Sequence, residues 1–269
     1  MSNIVVDKCF LQSSKTSRIH ELAASHRLLV SEALFYEMLT TSEPARSRCF
    51  AKFPPIDNPV DLVSHIGTLM RIEIDTHRSA GKPSAHRVQV QFQFNPKLLN
   101  AGYELPATAE EAIQEQFHEL RNDSESMLTR ALSMQSFFPS LLTGTQAERV
   151  QAKEEAELLI CQPGTLLQFY SALESPPGER RLPPVDLVTD EWAIYRWLQV
   201  QFLFALDLYV RYQGKIPVEM GSAAWEKLEH DVLDAEVLML GCLEGAFATN
   251  EKKLIRWWRM LCPNGTLYE

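Results

Sequence analysis

The chain reads as an α/β protein whose parallel sheet is built from both ends of the sequence, with a large, mostly helical segment inserted between them. Three apolar runs predict this. Asn3-Ile4-Val5-Val6-Asp7 is short and β-branched, which suits a strand buried on both faces of a parallel sheet. Arg27-Leu28-Leu29-Val30 follows a helical stretch, giving strand, helix and strand within about 30 residues, a βαβ unit. Ala246-Phe247-Ala248-Thr249 lies near the other end, too apolar to stand alone and naturally paired with the first two.

Between the first two runs, the polar stretch Ser13 to Ser17 leads into a helix around Arg18 to Ala24. Ser31 is a fitting N-cap for a helix over Glu32 to Thr41, and Pro44 lies beyond its end. After Phe53-Pro54-Pro55 the character changes. Residues 59 to 75 read as helical, and Gly81-Lys82-Pro83 marks a turn. Val88, Val90, Phe92 and Phe94 alternate with glutamines, the period of a half-exposed strand. Residues 107 to 173 are helical, with Pro139 and Pro163 as punctuation, and Ser175 to Pro184 is a loop. An aromatic-rich helix over Asp190 to Tyr212 follows; its Trp192, Trp197, Phe202, Phe204 and Tyr209 have core spacing.

The last segment returns to the first idiom. Ser222 to Leu243 is a helix that Gly245 can cap, Ala246 to Thr249 a strand, and Glu251 to Leu261 a final helix ending in the turn Cys262-Pro263-Asn264-Gly265. The expected organisation is a core from residues 1–54 and 220–269, with residues 55–219 as the helical insertion.

Composition limits the function classes. The 269 residues carry 26 Lys+Arg against 35 Asp+Glu, a formal net charge of −9. The overall field repels polyanions, so any nucleic-acid contact must be local. Five scattered cysteines, Cys9, Cys49, Cys161, Cys242 and Cys262, suggest neither a disulfide framework nor a zinc site and read as reduced core residues. No stretch approaches the roughly 18 apolar residues of a membrane span, and no secretory leader pattern is seen, so a cytoplasmic protein is expected. GxxxxGK[ST], GxGxxG-to-helix, GxSxG and HExxH patterns are missing, which argues against the nucleotide, serine-hydrolase and zinc-protease classes they mark.

What remains is a set of carboxylates. Asp7 directly follows the first strand, at the carboxyl end where open α/β sheets collect ligands; equally, it could be the N-cap of a helix beginning at Lys8. Glu37 lies in Ala33-Leu34-Phe35-Tyr36-Glu37-Met38-Leu39, where an ionised group needs compensation from a partner cation, a solvent-facing stripe or a ligand. Asp231 and Asp234 share a helix face, and Glu251 stands at the end of the last strand. Taken alone, that pair is better read as a solvated acidic helix start that complements the helix dipole.

These pieces resemble the PIN-like nuclease superfamily, whose pattern is an Asp ending the first strand, a Glu in an early helix and late acidic residues. Ile4-Val5-Val6-Asp7, then Leu29-Val30-Ser31 with Tyr36-Glu37, then Asp234-Ala235-Glu236, and finally Thr249-Asn250-Glu251 carry the likeness over about 45 residues at the start and 40 at the end. The last motif is usually Thr, any residue, Asp; here Glu251 takes the third place, with Asn250 as a stand-in. The resemblance implies a metal-dependent phosphodiester hydrolase acting on RNA or single-stranded DNA with Mg²⁺ or Mn²⁺. Asp7, Glu37 and Asp234 would be catalytic metal ligands, and Glu251 and Asp231 further ones. By analogy alone, it also implies a toxin-like or defence effector controlled by a protein partner. The chemistry agrees, since hard divalent ions take oxygen ligands. Lys252, Lys253 and Arg256, with Trp257 and Trp258, form a basic aromatic helix that could grip a strand, although Leu254, Trp257, Trp258 and Leu261 also have the spacing of a buried stripe. A catalytically idle interaction module and a helical adaptor are the alternatives; the adaptor requires Asp7 and Glu37 to lie far apart.

Overall fold

The computed structural model describes residues 2–56, 58–88, 107–173, 181–216 and 221–269. Five strands form one all-parallel sheet: β1 (Ser2–Val6), β2 (His26–Ser31), β3 (Asp61–Val63), β4 (Ala246–Ala248) and β5 (Thr266–Tyr268), in the order β3-β2-β1-β4-β5. β1 is central. Val5 lies opposite Leu29 on one side and Phe247 on the other, and Ile4, Val5 and Val6 are fully buried. That explains the continuous apolar run, because a strand covered on both faces has no solvent side on which to place polar residues.

The helices of the sheet's own segments are α1 (Lys8–Ser13), α2 (Thr16–Ser25), α3 (Glu32–Thr40) and α4 (Ala45–Phe50) after the first strands, and α11 (Lys252–Leu261) after β4. Ser31 caps α3 as its sequence predicts, its hydroxyl accepting from the Leu34 amide at 2.9 Å. Gly245 closes the helix before β4 with φ +83°, a conformation that costs a side-chain-bearing residue strain. Gly241, one turn earlier, faces the Phe247 ring so closely that an added Cβ would meet it at 2.9 Å.

Two expectations change. Residues 59–65 are not helical: Asp61–Val63 forms β3, and α5 (Ile66–Thr76) begins only at Ile66. Three residues are too few to display a period of two, and Leu62 gains its partner, Val30, only from the sheet. The final turn is followed by β5, again three residues long and paired with β4. Of the alternating segment, Val90, Phe92 and Phe94 lie outside the described residues.

The chain divides into two compact units. The sheet unit comprises residues 1–69, 81–117 and 236–269; the helical unit comprises 70–80 and 118–235. Compared with the expected division, the sheet unit takes in 55–69 and 81–117, and residues 220–235 belong to the helical unit. The remaining helices are α6 (Ala107–Phe137), α7 (Gln146–Cys161), α8 (Pro163–Ser171), α9 (Ala193–Arg211) and α10 (Ser222–Glu244). The division falls inside α5, α6 and α10.

In the helical unit α9 is buried almost all round, and Phe137, Phe169 and Phe202 form an aromatic cluster in which Phe169 stacks on Phe202 at 4.8 Å. Buried Glu73 holds this unit together. Its carboxylate accepts from the amides of Ala193 and Ile194 at 2.7 and 2.9 Å and of Ala80 at 3.0 Å. It thus serves as a remote cap for the buried donors at the start of α9, which have no acceptor within the helix. All five cysteines are free thiols, and among the described residues no helix is long and apolar enough to cross a membrane.

Candidate active site

The carboxyl ends of β1 and β4 are neighbours, because the Asp7 amide continues the ladder by donating to the Ala248 carbonyl at 3.0 Å. This brings Asp7 and the Thr249–Glu251 segment together although they are far apart in sequence. The Asp7 side chain is 3% exposed. The Thr249 hydroxyl, fully buried, donates to Asp7 Oδ2 at 2.7 Å and accepts from the Glu251 amide at 3.1 Å. One hydroxyl therefore fixes both the carboxylate and the start of α11.

Asp7 occupies the N-cap position of α1 but makes no side-chain cap hydrogen bond. The backbone amide of Cys9, at the second position of α1, favours its charged form. Burial pushes its pKa up to about 6, against the pull of Thr249 and the Cys9 amide, and the charges of Glu251 and Glu37 push it further the same way. A carboxylate buried beside two others gains nothing for stability from that position. Carboxylates raised in this way occur at functional sites and also in structural charge networks.

Glu37, on α3, meets Lys8 of α1, with Nζ 2.9 Å from Oε1 and both side chains largely covered. That is the compensation the apolar run demanded. Its charge also acts on Asp7, in the direction that raises the Asp7 pKa. Asn250 does not turn to the carboxylates; its amide donates to the Ser13 and Ser14 hydroxyls at 2.6 and 3.2 Å. Lys52 binds the carbonyls of Gln12 and Ser14, so the α1–α2 junction is pinned from two sides.

Among the expected ligands, Glu251 and Glu37 act on Asp7 through their charge. Asp231 and Asp234 lie on α10 within the helical unit. Asp231 takes up a different role: its two oxygens accept from Arg211 at 2.6 and 3.2 Å, and Arg211 also bonds Asp207, which bonds Lys153. The reason is burial. A carboxylate 6% exposed in a helical core needs a cation, and the last turn of α9 supplies one. Among the described residues, no group of three or more His, Cys, Asp or Glu side chains is placed to hold a metal ion.

No family model, curated protein or solved structure matches this chain.

Two residues of the site were not singled out from sequence. Thr249 was visible only as part of a motif, and its hydrogen bond to Asp7 follows from the β1–β4 pairing. Lys8 gave no signal beyond standing next to Asp7. Elsewhere along the carboxyl edge, buried Glu236 accepts from the Ile66 amide at 3.2 Å and lies 3.1 Å from His65 Nε2, while His65 Nδ1 accepts from the Gly67 amide at 3.0 Å. These contacts satisfy the first amides of α5.

Proposed function

We propose that the protein is a divalent-cation-dependent nuclease of PIN-like type, hydrolysing RNA or single-stranded DNA at the carboxyl edge of its sheet. The observation that carries this reading is Asp7: a buried carboxylate at the end of the central strand, its pKa raised to about 6, with two further carboxylates close enough to feel its charge. A group that changes protonation near neutral pH suits proton transfer to or from water attacking a phosphodiester. Thr249 orients it through Oδ2, and Glu37 and Glu251 supply the remaining hard oxygen donors. The α/β sheet and the resemblance of its two end segments to the PIN-like pattern support the same assignment.

Mg²⁺ or Mn²⁺, when bound, would activate water and neutralise the leaving oxygen. The donor chemistry suits such an ion, but the fit is incomplete: Glu37 is engaged by Lys8 and no three-ligand cage is formed among the described residues. No step is therefore assigned to the ion. The Lys8–Glu37 pair gives specific support to a second reading, a catalytically idle PIN-like interaction module whose carboxylates are held by protein cations.

Incubation of mixed single-stranded RNA and DNA with Mg²⁺ or Mn²⁺ separates the two. The nuclease reading expects cleavage by wild type that is lost in Asp7→Asn and in chelator. Absence of cleavage by wild type with either metal refutes it in favour of the idle module. Asp234→Asn, assayed alongside, tests whether that residue takes part.

A further inference from the structure

We infer that Arg130 of α6 and Gln201 of α9 form a binding site for a phosphate group. The site belongs to the helical unit alone and does not depend on the proposed nuclease activity.

Two arginines of α6 lie on tryptophan rings, and they differ in how their charge is met. Arg121 stands 3.3 Å from the centroid of Trp225, with Glu125 at 3.6 Å and Glu229 at 3.8 Å. Arg130 lies over Trp197 at 4.4 Å and makes one hydrogen bond, from Nη1 to Gln201 Oε1 at 3.2 Å. Among the described residues it has no ion-pair partner; Asp123, two helical turns earlier, acts on it through charge alone.

That difference matters because Arg130 is half-buried. Burial pushes its pKa down, against the pull of Asp123. A cation taken partly out of water calls for an opposite charge, and in a chain with 35 acidic against 26 basic residues a carboxylate is the commoner neighbour. Here a neutral amide stands beside it instead. Gln201 holds the guanidinium in place without cancelling its charge, and the Trp197 ring fixes its plane.

The donors of this pair are largely unused. A guanidinium carries five N–H groups in a planar fork and accepts nothing, so Gln201 must meet it with Oε1. The Nε2 amide of Gln201 then has no protein acceptor among the described residues, although the residue is only 4% exposed. Neither this amide nor the open edge of Arg130 is among the buried polar atoms lacking a partner, so both reach solvent. A fork that binds bidentately, with further N–H donors one amide group away, suits a tetrahedral oxyanion better than a carboxylate with two oxygens. Inorganic phosphate, a mononucleotide and a nucleic-acid strand all carry such a group.

The test is isothermal titration calorimetry of wild type with inorganic phosphate, adenosine 5′-monophosphate, a short single-stranded RNA and acetate, at low salt in chelator so that no cleavage intervenes. Arg130→Met should weaken phosphate-group binding about tenfold or more and Gln201→Leu about threefold. Arg130→Lys keeps the charge but loses the fork and should fall between them. Arg71→Met, which removes an exposed cation from the same unit, should stay within about twofold of wild type. Circular dichroism checks folding; should Arg130→Met unfold, Arg130→Lys and Gln201→Leu carry the comparison.

Inorganic phosphate binding as tightly as the nucleotide and the strand identifies a small-ion site, and binding confined to the latter two identifies a nucleotide contact. Either supports the assignment when Arg130→Met abolishes it. No binding of any phosphate compound by wild type, equal losses in Arg130→Met and Arg71→Met, or acetate binding as tightly as phosphate would each overturn it. Cleavage by wild type has no bearing on these outcomes, so the nuclease reading and the phosphate site can fail separately.

Discussion

Replacing Asp7 by Asn should stabilise the protein at neutral pH. The carboxyl is pushed from an ordinary value of 3.8 to about 6 in the fold, so the folded state holds a proton that the unfolded chain releases. The sign follows from linkage. Between about pH 4 and pH 6 the folded state binds more protons, so stability declines as pH rises through that window and stays reduced above it. The difference of roughly two pH units corresponds to about 3 kcal/mol at pH 7. Asn has the same shape, keeps an oxygen to accept from Thr249 and carries no charge beside Glu251 and Glu37. Asp7→Asn should therefore recover most of that 3 kcal/mol at pH 7.5 and little at pH 4. At roughly 2–4 °C per kcal/mol for a chain of this size, the midpoint should rise by about 6–12 °C. Thermal or urea unfolding of both proteins at half-unit pH steps from 4 to 8 reads the effect. A destabilised Asp7→Asn, or two pH profiles that run parallel, would refute the reasoning.

Three further substitutions test the supporting structure. Glu73→Ala leaves three amides of the helical unit without their acceptor and should cost about 3 kcal/mol or more in urea unfolding, with Glu73→Gln milder because the oxygen serving Ala80 and Ala193 has a replacement. Arg211→Ala takes the guanidinium from buried Asp231 and leaves Asp207 to Lys153, and should cost about 3–5 kcal/mol; adding Asp231→Asn should return part of it, and a double-mutant cycle showing no coupling would contradict the pairing. Gly241→Ala presses a methyl group against the Phe247 ring and should lower stability by about 1–3 kcal/mol, detectable as a lower melting midpoint with unchanged far-ultraviolet circular dichroism.

What could be read from sequence was what local pattern dictates. The apolar runs at Ile4–Val6, Leu28–Val30 and Ala246–Ala248 declared buried parallel strands, Ser31 declared a cap, and the alternation of tryptophans with cations declared that α11 has one wet side. What could not be read was decided at long range. β3 and β5 are three residues each and exist because a neighbour supplies their hydrogen bonds. The carboxylates were identifiable as acids in unusual places, but whether a given acid meets a cation depends on which helix packs against it. Glu37 stands in an apolar helical run and Asp231 in an acidic one, yet both meet a cation, Lys8 for the first and Arg211 for the second. Thr249 acquires its partner only once β1 and β4 pair.

That pairing also sets a timetable. Asp7 and Thr249 are 242 positions apart, and at about 5–20 residues per second the ribosome needs roughly 12–50 s to make the chain between them. Through that interval β1 has no β4 partner and the site has neither its orienting hydroxyl nor Glu251. A chain interrupted anywhere before residue 246 cannot assemble the site. If the protein cleaves RNA as proposed, a nascent chain that stops short of Thr249 lacks the hydroxyl that orients Asp7.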